Sequence, residues 1–327
     1  MDTRVVLGLG GVALLAGSLV FVLGAGQPAA PSAPPAPARA PTAPAPAAPA
    51  QAPVAPAAPA AAEDPNAAYM VDGKIYGEFR FGWKDPIPKP AGAVRLATYN
   101  VENLFLTSTD PQRQPIKPVE HLKSVAETIR RIDADVLALQ EIQSLEALTQ
   151  FRDTYLADMG YTYIESRDAG DDRGIENAVL SRFPLSDATI WPSMPLPGTH
   201  PTGLRTEEGR RLAGQPLDFR RSPLRVTVTV PPEKTADPAS GQPYALTLLV
   251  VHHKSGREFG YWREAESAKV VEKVGEIQSA DPDANVAVLG DFNAIPADKS
   301  VQTYLTGGLV DVFGDRTREP KWVTHES

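Results

Sequence analysis

The sequence predicts an α/β protein whose strands are covered on both faces. Three observations carry this. From Ala93 onward, segments with a helical spacing of apolar residues alternate with short apolar runs. Several of those runs are apolar at nearly every position, the mark of a strand packed between two layers. Composition confines the foldable part of the chain, because 12 Pro and 18 Ala fill the 36 residues from Gln27 to Ala62. Such a stretch cannot bury a core.

At about 100–200 residues per domain, the length of 327 suggests two domains. The uneven composition reduces this to one. Residues 1–26 contain an uncharged run from Val5 to Gly26, long enough for a bilayer span of about 20 residues. We expect an uncleaved signal-anchor, with a cleaved signal peptide as the alternative allowed by Gly24, Ala25 and Gly26. Arg4 ahead of the run favours a cytoplasmic N-terminus. The body is then expected in the cell envelope on the extracytoplasmic side, membrane-anchored or secreted. Residues 27–62 read as a disordered, semi-rigid spacer, residues 63–92 as a lead-in, and residues 93–327 as the domain. The absence of Cys excludes a disulfide scaffold, a thiolate metal site and a Cys nucleophile. A net charge of −8 excludes nucleic-acid binding through bulk charge, but not a locally basic site.

Within the domain, Pro118–Asp133 places Val119, Leu122, Val125, Ile129 and Ile132 on one helical stripe, and Ser144–Leu156 does so with Leu145, Leu148, Phe151 and Tyr155. Gly256–Ala280 predicts a helix facing inward through Tyr261, Ala265, Ala268, Val271, Val274 and Ile277. Its Arg263, Glu266, Lys269 and Lys273 are then solvated. Strands are predicted at Val94–Tyr99, Asp135–Leu139, Tyr161–Glu165, Glu176–Ser181, Leu224–Val230, Ala245–Val251 and Asn285–Leu289. Pro192–Arg221 reads as a long loop.

Four of the strand-like runs end in polar residues: Asn100, Glu141, His252-His253, and Asp291-Phe292-Asn293. If the strand ends meet at one rim, two carboxylates, two amides and one or two imidazoles converge. Hard oxygen donors without Cys suit Mg²⁺, which supports phosphoester hydrolysis, with a His to move protons and an amide to bind phosphoryl oxygens. Each residue also has an ordinary reading as a turn, cap or strand-end residue. Adjacent His252 and His253 must point to opposite faces, so one at most serves the site. His121, His200 and His325 are expected to lie on a helix surface, in the long loop and at an exposed end. Arg205, Arg210, Arg211, Arg220 and Arg221 either line a groove for a phosphate backbone or lipid headgroup, or are simply solvated.

In order and spacing, five blocks resemble the endonuclease/exonuclease/phosphatase superfamily, the fold of pancreatic-type deoxyribonucleases and neutral sphingomyelinases. The first two are Leu96-Ala-Thr-Tyr-Asn-Val-Glu-Asn-Leu-Phe105 and Ala134-Asp-Val-Leu-Ala-Leu-Gln-Glu-Ile142. The others are Arg173-Gly-Ile-Glu-Asn-Ala-Val-Leu-Ser-Arg-Phe-Pro-Leu185, Val250-Val-His-His-Lys-Ser255 and Leu289-Gly-Asp-Phe-Asn293. The resemblance implies a four-layer α/β sandwich, two packed mixed β-sheets flanked by helices. It implies Mg²⁺ (or Mn²⁺) held by Glu141 with Asn100 beside it. Asp291 would orient or activate the attacking water or assist the leaving group, Asn293 would contact the scissile phosphate, and His252 would be the catalytic His, with His253 as fallback because Val251 stands where the family has Asn. The substrate would be a phosphodiester or phosphomonoester in a nucleic acid or a phospholipid headgroup, with no obligate protein partner.

The resemblance also implies a closing Ile-Asp strand and a Ser-Asp-His block, and this sequence contains no Ser-Asp-His. The expectation is therefore a domain incomplete at its C-terminus. The alternative function that follows is a catalytically impaired, non-catalytic envelope protein.

Overall fold

The computed structural model describes residues 5–7, 18–23, 70–71, 74–75, 89, 93–235 and 237–312. The strands are β1 (Val5–Leu7), β2 (Ser18–Leu23), β3 (Met70–Val71), β4 (Lys74–Ile75), β5 (Val94–Leu104), β6 (Val136–Ile142), β7 (Tyr163–Arg167), β8 (Glu176–Ser181), β9 (Leu185–Thr189), β10 (Pro195–Thr199), β11 (Pro216–Asp218), β12 (Leu224–Val230), β13 (Tyr244–His252), β14 (Asn285–Asp291) and β15 (Val310–Asp311). The helices are α1 (Val119–Ile132), α2 (Leu145–Tyr155), α3 (Glu207–Leu212), α4 (Gly260–Ala280) and α5 (Lys299–Thr306).

Two mixed sheets form the centre. The first has the order β1-β5-β6-β8-β7, with β5 and β6 parallel and β8 antiparallel to both β6 and β7. The second has the order β15-β2-β14-β13-β12-β9, with β13 and β14 parallel and the remaining pairs antiparallel. Side chains alternate between the faces of each strand, and the apolar runs use both. On β6, Val136 and Ala138 pack toward the second sheet, while Leu137 and Leu139 pack with α1 and α2. On β13, Leu248 and Val250 face the first sheet, while Leu249 and Val251 face α4 and α5. β14 divides the same way, with Ala287 and Leu289 against Val286 and Val288. The result is the expected four-layer sandwich of helices, sheet, sheet and helices.

The outer helices follow their sequence pattern with two adjustments. α1 buries Leu122, Val125, Ile129 and Ile132, and α2 buries Leu148 and Phe151, but the first apolar residues, Val119 and Leu145, remain 55% and 41% exposed. Each apolar side chain fully buried in these stripes stabilises the fold by about 1.5–3 kcal/mol. The Ser144 hydroxyl accepts from the Ala147 N–H and caps α2. α4 is turned relative to the expected stripe. Its buried face is Trp262, Glu266, Val270, Val274 and Ile277, with Arg263 and Ser267 beside it. Arg263 and Glu266 are buried with partners at part of each side chain, Arg263 Nε and Glu266 Oε1 having none among the described residues. The Arg263 guanidinium donates to the carbonyls of Lys254 and Gly256, and Glu266 accepts the Lys254 N–H. The segment expected as one loop, Pro192–Arg221, instead folds into a ribbon of β10 and β11 with α3 between them.

Two pieces of the uncharged N-terminal run are described, and both are strands rather than parts of a helix. β1 lies parallel to β5, and β2 lies antiparallel to β14 along its whole length. Val20, Phe21 and Val22 are β-branched or aromatic and suit a strand, and β2 pairs with the backbone on the open side of β14. Among the described residues, no helix is long and apolar enough to cross a membrane. The spacer, nearly all of the lead-in and His325 lie outside the described residues.

Away from the polar strand ends, buried Asp135 ties three elements together. It accepts from the Arg95 N–H at 2.7 Å, from Lys89 at 2.8 Å and from Arg182 at 3.1 Å. Burial would raise this carboxyl, but the Arg95 N–H, Lys89 and Arg182 overcome it and hold the pKa below the ordinary carboxylate range. A carboxyl depressed in the folded state contributes stability above its unfolded pKa of about 3.9, and that stability is lost as the pH falls through the folded value. Asp135→Asn is therefore expected to lower stability at pH 7 by about 1–3 kcal/mol. It is also expected to flatten the pH dependence below about pH 4, where the wild-type carboxylate titrates. Urea melts from pH 2 to 7 check both, and parallel profiles for the two proteins would sink the assignment.

Candidate active site

The site lies where four strands end at one rim of the sheet-sheet seam. Strand alternation alone aims Asn100, His252 and Asp291 into the seam, since each continues the parity of the inward residues Leu96, Val250 and Leu289. Glu141 does not follow from alternation. It sits on a β-bulge where the β6–β8 register shifts between Gln140 and Ile142, with φ of 66°. The extra residue lets Ile142 return to the helix-facing core while Glu141 turns toward the site. Four of the seven non-glycine residues with positive φ among the described residues belong to this rim: Glu102, Asn103, Glu141 and Asn293. Backbone held in this region costs free energy and concentrates at functional sites.

Gly290 makes the closest approach. Its φ is 143°, and a Cβ there would lie 2.0 Å from the Val251 carbonyl oxygen. Only glycine lets β14 pass this close to β13 just before Asp291.

The Asn100 amide joins the two sheets. Its Nδ2 donates to Asp291 Oδ2 at 2.9 Å and to Glu141 Oε1 at 3.3 Å, while its Oδ1 accepts the Glu102 N–H at 2.9 Å. Glu141 Oε2 accepts the Asn103 N–H at 2.9 Å. His252 Nε2 lies 3.5 Å from Asp291 Oδ2 and 3.7 Å from Glu141 Oε1. Asp291 Oδ1 accepts the Asn293 N–H, and the Asn293 amide donates to the His253 carbonyl. Beneath them, Thr98 and Gln140 hydrogen-bond in the seam.

The two carboxylates differ in setting. The Glu141 side chain is 13% exposed and the Asp291 side chain 1%. Burial pushes the Asp291 carboxyl up to about 7 against the pull of the Asn100 and Asn293 donors. Burial, with Arg221, Arg173, His253 and Lys254 nearby, holds the His252 imidazole well below its usual range. His252 is thus neutral near pH 7, and Asp291 is poised between its acid and base forms. His253 turns away from the cluster. Its Nε2 meets the Tyr304 hydroxyl at 2.7 Å and its Nδ1 lies 3.3 Å from Glu266. Of the other imidazoles, His121 is exposed as expected, but His200 is buried against Trp262 and bonded to Tyr261.

Two arginines stand at the site that sequence reasoning did not place there. Arg173 approaches Glu141 Oε1 at 3.8 Å and donates to Asn103 Oδ1 at 3.4 Å. Arg221, at first sight a loop arginine, is buried and donates to the carbonyls of His252 and His253 at 3.3 and 2.9 Å and to Asp171 at 3.1 Å. The only sequence trace of Arg221 is its place at the end of the arginine-bearing segment, directly before β12. Of its companions, Arg220 pairs with Asp172 at 2.8 Å, and Arg210 bonds the Arg205 carbonyl.

Two carboxylates and a neutral imidazole thus converge at the rim of a four-layer sandwich. The family model for the endonuclease/exonuclease/phosphatase family matches residues 97–326, and the chain belongs to that family. Members of the family are metal-dependent phosphoesterases. Among solved structures, a family protein from Bacteroides thetaiotaomicron is similar, with a TM-score of 0.41 and 17% identity over 65% of this chain and 68% of that one. The human Nocturnin catalytic domain with bound sulfate gives a TM-score of 0.40 and 16% identity over 60% of this chain and 66% of that one. TDP2 from C. elegans gives 0.37 and 16% over 62% and 48%. The chain thus spans about half to two thirds of the Nocturnin and TDP2 chains. No curated protein sequence matches it.

Arg221 and Asp171 form a buried ion pair under the His252–His253 turn, and removing one partner leaves the other charge buried. Arg221→Met is expected to destabilise the protein by about 3–5 kcal/mol, with Arg221→Met/Asp171→Asn recovering part of the loss. Chemical denaturation of the three proteins checks this. A double variant no more stable than the single would show that the arginine acts elsewhere.

Proposed function

We propose that this chain hydrolyses phosphoester bonds, most of all phosphodiesters, with a divalent cation, Mg²⁺ or Mn²⁺. The observation that carries the reading is the Asn100 amide held between Glu141 and Asp291, with His252 Nε2 within 3.7 Å of both carboxylates. Among the described residues there is no group of three or more His, Cys, Asp or Glu side chains that could hold a metal. A closed protein cage of the zinc or calcium type therefore does not fit. A sparse oxygen site does, because Mg²⁺ is commonly held by one or two carboxylates and keeps several waters for exchange with substrate oxygens.

Glu141, the more exposed carboxylate, would hold the cation. Asn100 would add its amide oxygen only by turning its amide over, giving up the Glu102 N–H together with its own bonds to Glu141 and Asp291. The chemistry such a cation supplies is polarisation of the phosphoryl group and neutralisation of its developing charge.

The chain's own residues do the rest. Asp291, poised near neutrality, accepts a proton from water or returns one to the leaving oxygen. Neutral His252 is positioned to hold or relay that proton beside it. Asn293 stands next to Asp291 at the mouth of the seam, where its amide can reach a phosphoryl oxygen after releasing the His253 carbonyl. Arg173, beside Glu141, adds positive charge on the substrate side.

With Mg²⁺ present, the full chain is expected to cleave bis-(p-nitrophenyl) phosphate, and EDTA should stop it. Asp291→Asn and His252→Asn should each lower kcat by about 10²–10⁴-fold. Glu141→Gln should also weaken Mg²⁺ binding measured by calorimetry. Cleavage that survives Glu141→Gln and Asp291→Asn in folded protein overturns the proposal. Metal binding without turnover would instead favour a non-catalytic family member.

A further inference from the structure

The second sheet carries a separate feature on its other face. A cleft of about 430 Å³ opens between α4 and the outward face of β12 and β13. Register sets its floor. Leu249 and Val251 face α4 and α5, so Thr247, two residues earlier, shares their face. Arg225 stands opposite Leu249 and Thr227 opposite Thr247, which puts both on that face too. The seam that holds Glu141 and Asp291 lies on the reverse of the sheet, so the cleft is no part of the cluster there.

The apolar cover of α4 stops at β12. Val286, Val288, Leu249 and Val251 pack beneath the helix, but the next row is Arg225 and Thr227. Arg225 is half-buried and its Nε is shut off from solvent with no hydrogen-bond partner. Among the described residues no acceptor or carboxylate meets the guanidinium, and the Thr227 and Thr247 hydroxyls beside it are also without a partner. The acids on the lining do not fill this role. Glu276 is bound to Lys273 at 2.8 Å, and Lys273 lies over the Trp191 ring at 5.5 Å. Asp281 accepts the Asp283 N–H, and both sit in the turn before Asn285. Asn285 is level with Leu246 on β13, three residues below the level of Arg225 and two strands away. The backbones there are about 14 Å apart. A donor withdrawn from water without an acceptor is destabilising, and Arg225 therefore calls for a partner from outside the chain.

We propose that the cleft binds a small molecule carrying a phosphate or carboxylate group, with that group on Arg225 and its apolar body against Trp191. A guanidinium offers only donors, in a fork that fits two oxygens of one anion. Thr227 and Thr247 can each donate one more bond. The volume lies in the range of about 300–1,000 Å³ usual for small-ligand sites, and Ile277 and Ala280 on α4 add apolar surface to that of Trp191. This site does not depend on the phosphoesterase reading, since it shares no residue with the strand ends.

The test follows labelled side-chain N–H groups of the full chain by NMR in EDTA. Phenylphosphonate and benzoate are the probes, with chloride at equal ionic strength as the control. The buried Nε–H of Arg225 gives its own signal, identified by its loss in Arg225→Met. It should shift and saturate with at least one probe and not with chloride, and the tighter probe names the anion. Thr227→Val keeps the side-chain shape and should weaken that binding about two- to tenfold. Arg225→Met, read through the Trp191 indole N–H, should weaken it about tenfold or more, as expected for lost hydrogen bonds to a charged group. Inorganic phosphate and acetate, which lack the ring, should bind more weakly than the probes. The absence of a saturable Arg225 shift with either probe overturns the site, and so does equal affinity in the wild type and both variants. Ringless anions that bind as tightly as the probes overturn the apolar half of the assignment.

Discussion

The arrangement depends on one amide. Asn100 belongs to the first sheet and Asp291 to the second, and the 2.9 Å bond between them crosses the seam at its open end. The same nitrogen reaches Glu141, so a single side chain sets the spacing of two carboxylates that would otherwise repel. A buried carboxylate is tolerated only when donors satisfy it, and Asp291 has two, from Asn100 and from the Asn293 backbone. The apolar packing of the sheets determines where the rims lie, and the amide determines how closely the acids approach.

Around that bond the molecule concentrates its exceptions to regular structure. The bulge at Glu141, the left-handed residues Glu102, Asn103 and Asn293, and the contact that demands Gly290 all fall within the four strand ends. Up to those ends, β6, β13 and β14 keep the alternation and pack apolar side chains on both faces. The contrast is economical in physical terms: the sandwich supplies rigidity, and the strained turns hold polar groups where a regular strand would not place them. A second polar layer supports the first from behind. Arg221 clamps the carbonyls of His252 and His253, and Glu266 takes the Lys254 N–H and faces His253. Consecutive residues of one strand end thereby serve different layers, His252 in the seam and His253 in the core under α4 and α5.

Much of this was legible in the sequence because it rests on local pattern. The limits of β8 and β12 coincide with their apolar runs, and the other expected strands differ from the structure by a few residues at their ends. The polar residues just past those runs are the ones that converge. The opposed directions of His252 and His253 follow from strand geometry alone. What escaped was of two kinds. The short, polar elements β9, β10, α3 and β11 have little apolar periodicity, since they are held by the surfaces they cover. The phase of α4 was misjudged because Arg263 and Glu266 look solvated, and nothing local shows that the turn after His253 supplies their partners.

The sequence by itself determined that the chain is an α/β protein with strands covered on both faces, where those strands lie, and which polar residues stand at their ends. These are properties of period and composition, and each is set within a few residues. The tertiary structure alone decided that the four ends share a rim, that Arg221 is buried while Arg113 and Arg211 are not, and that β2 lies along β14. Each of those depends on contacts between segments far apart in the chain. Burial and charge pairing are properties of the assembled surface, which no single stretch of sequence contains.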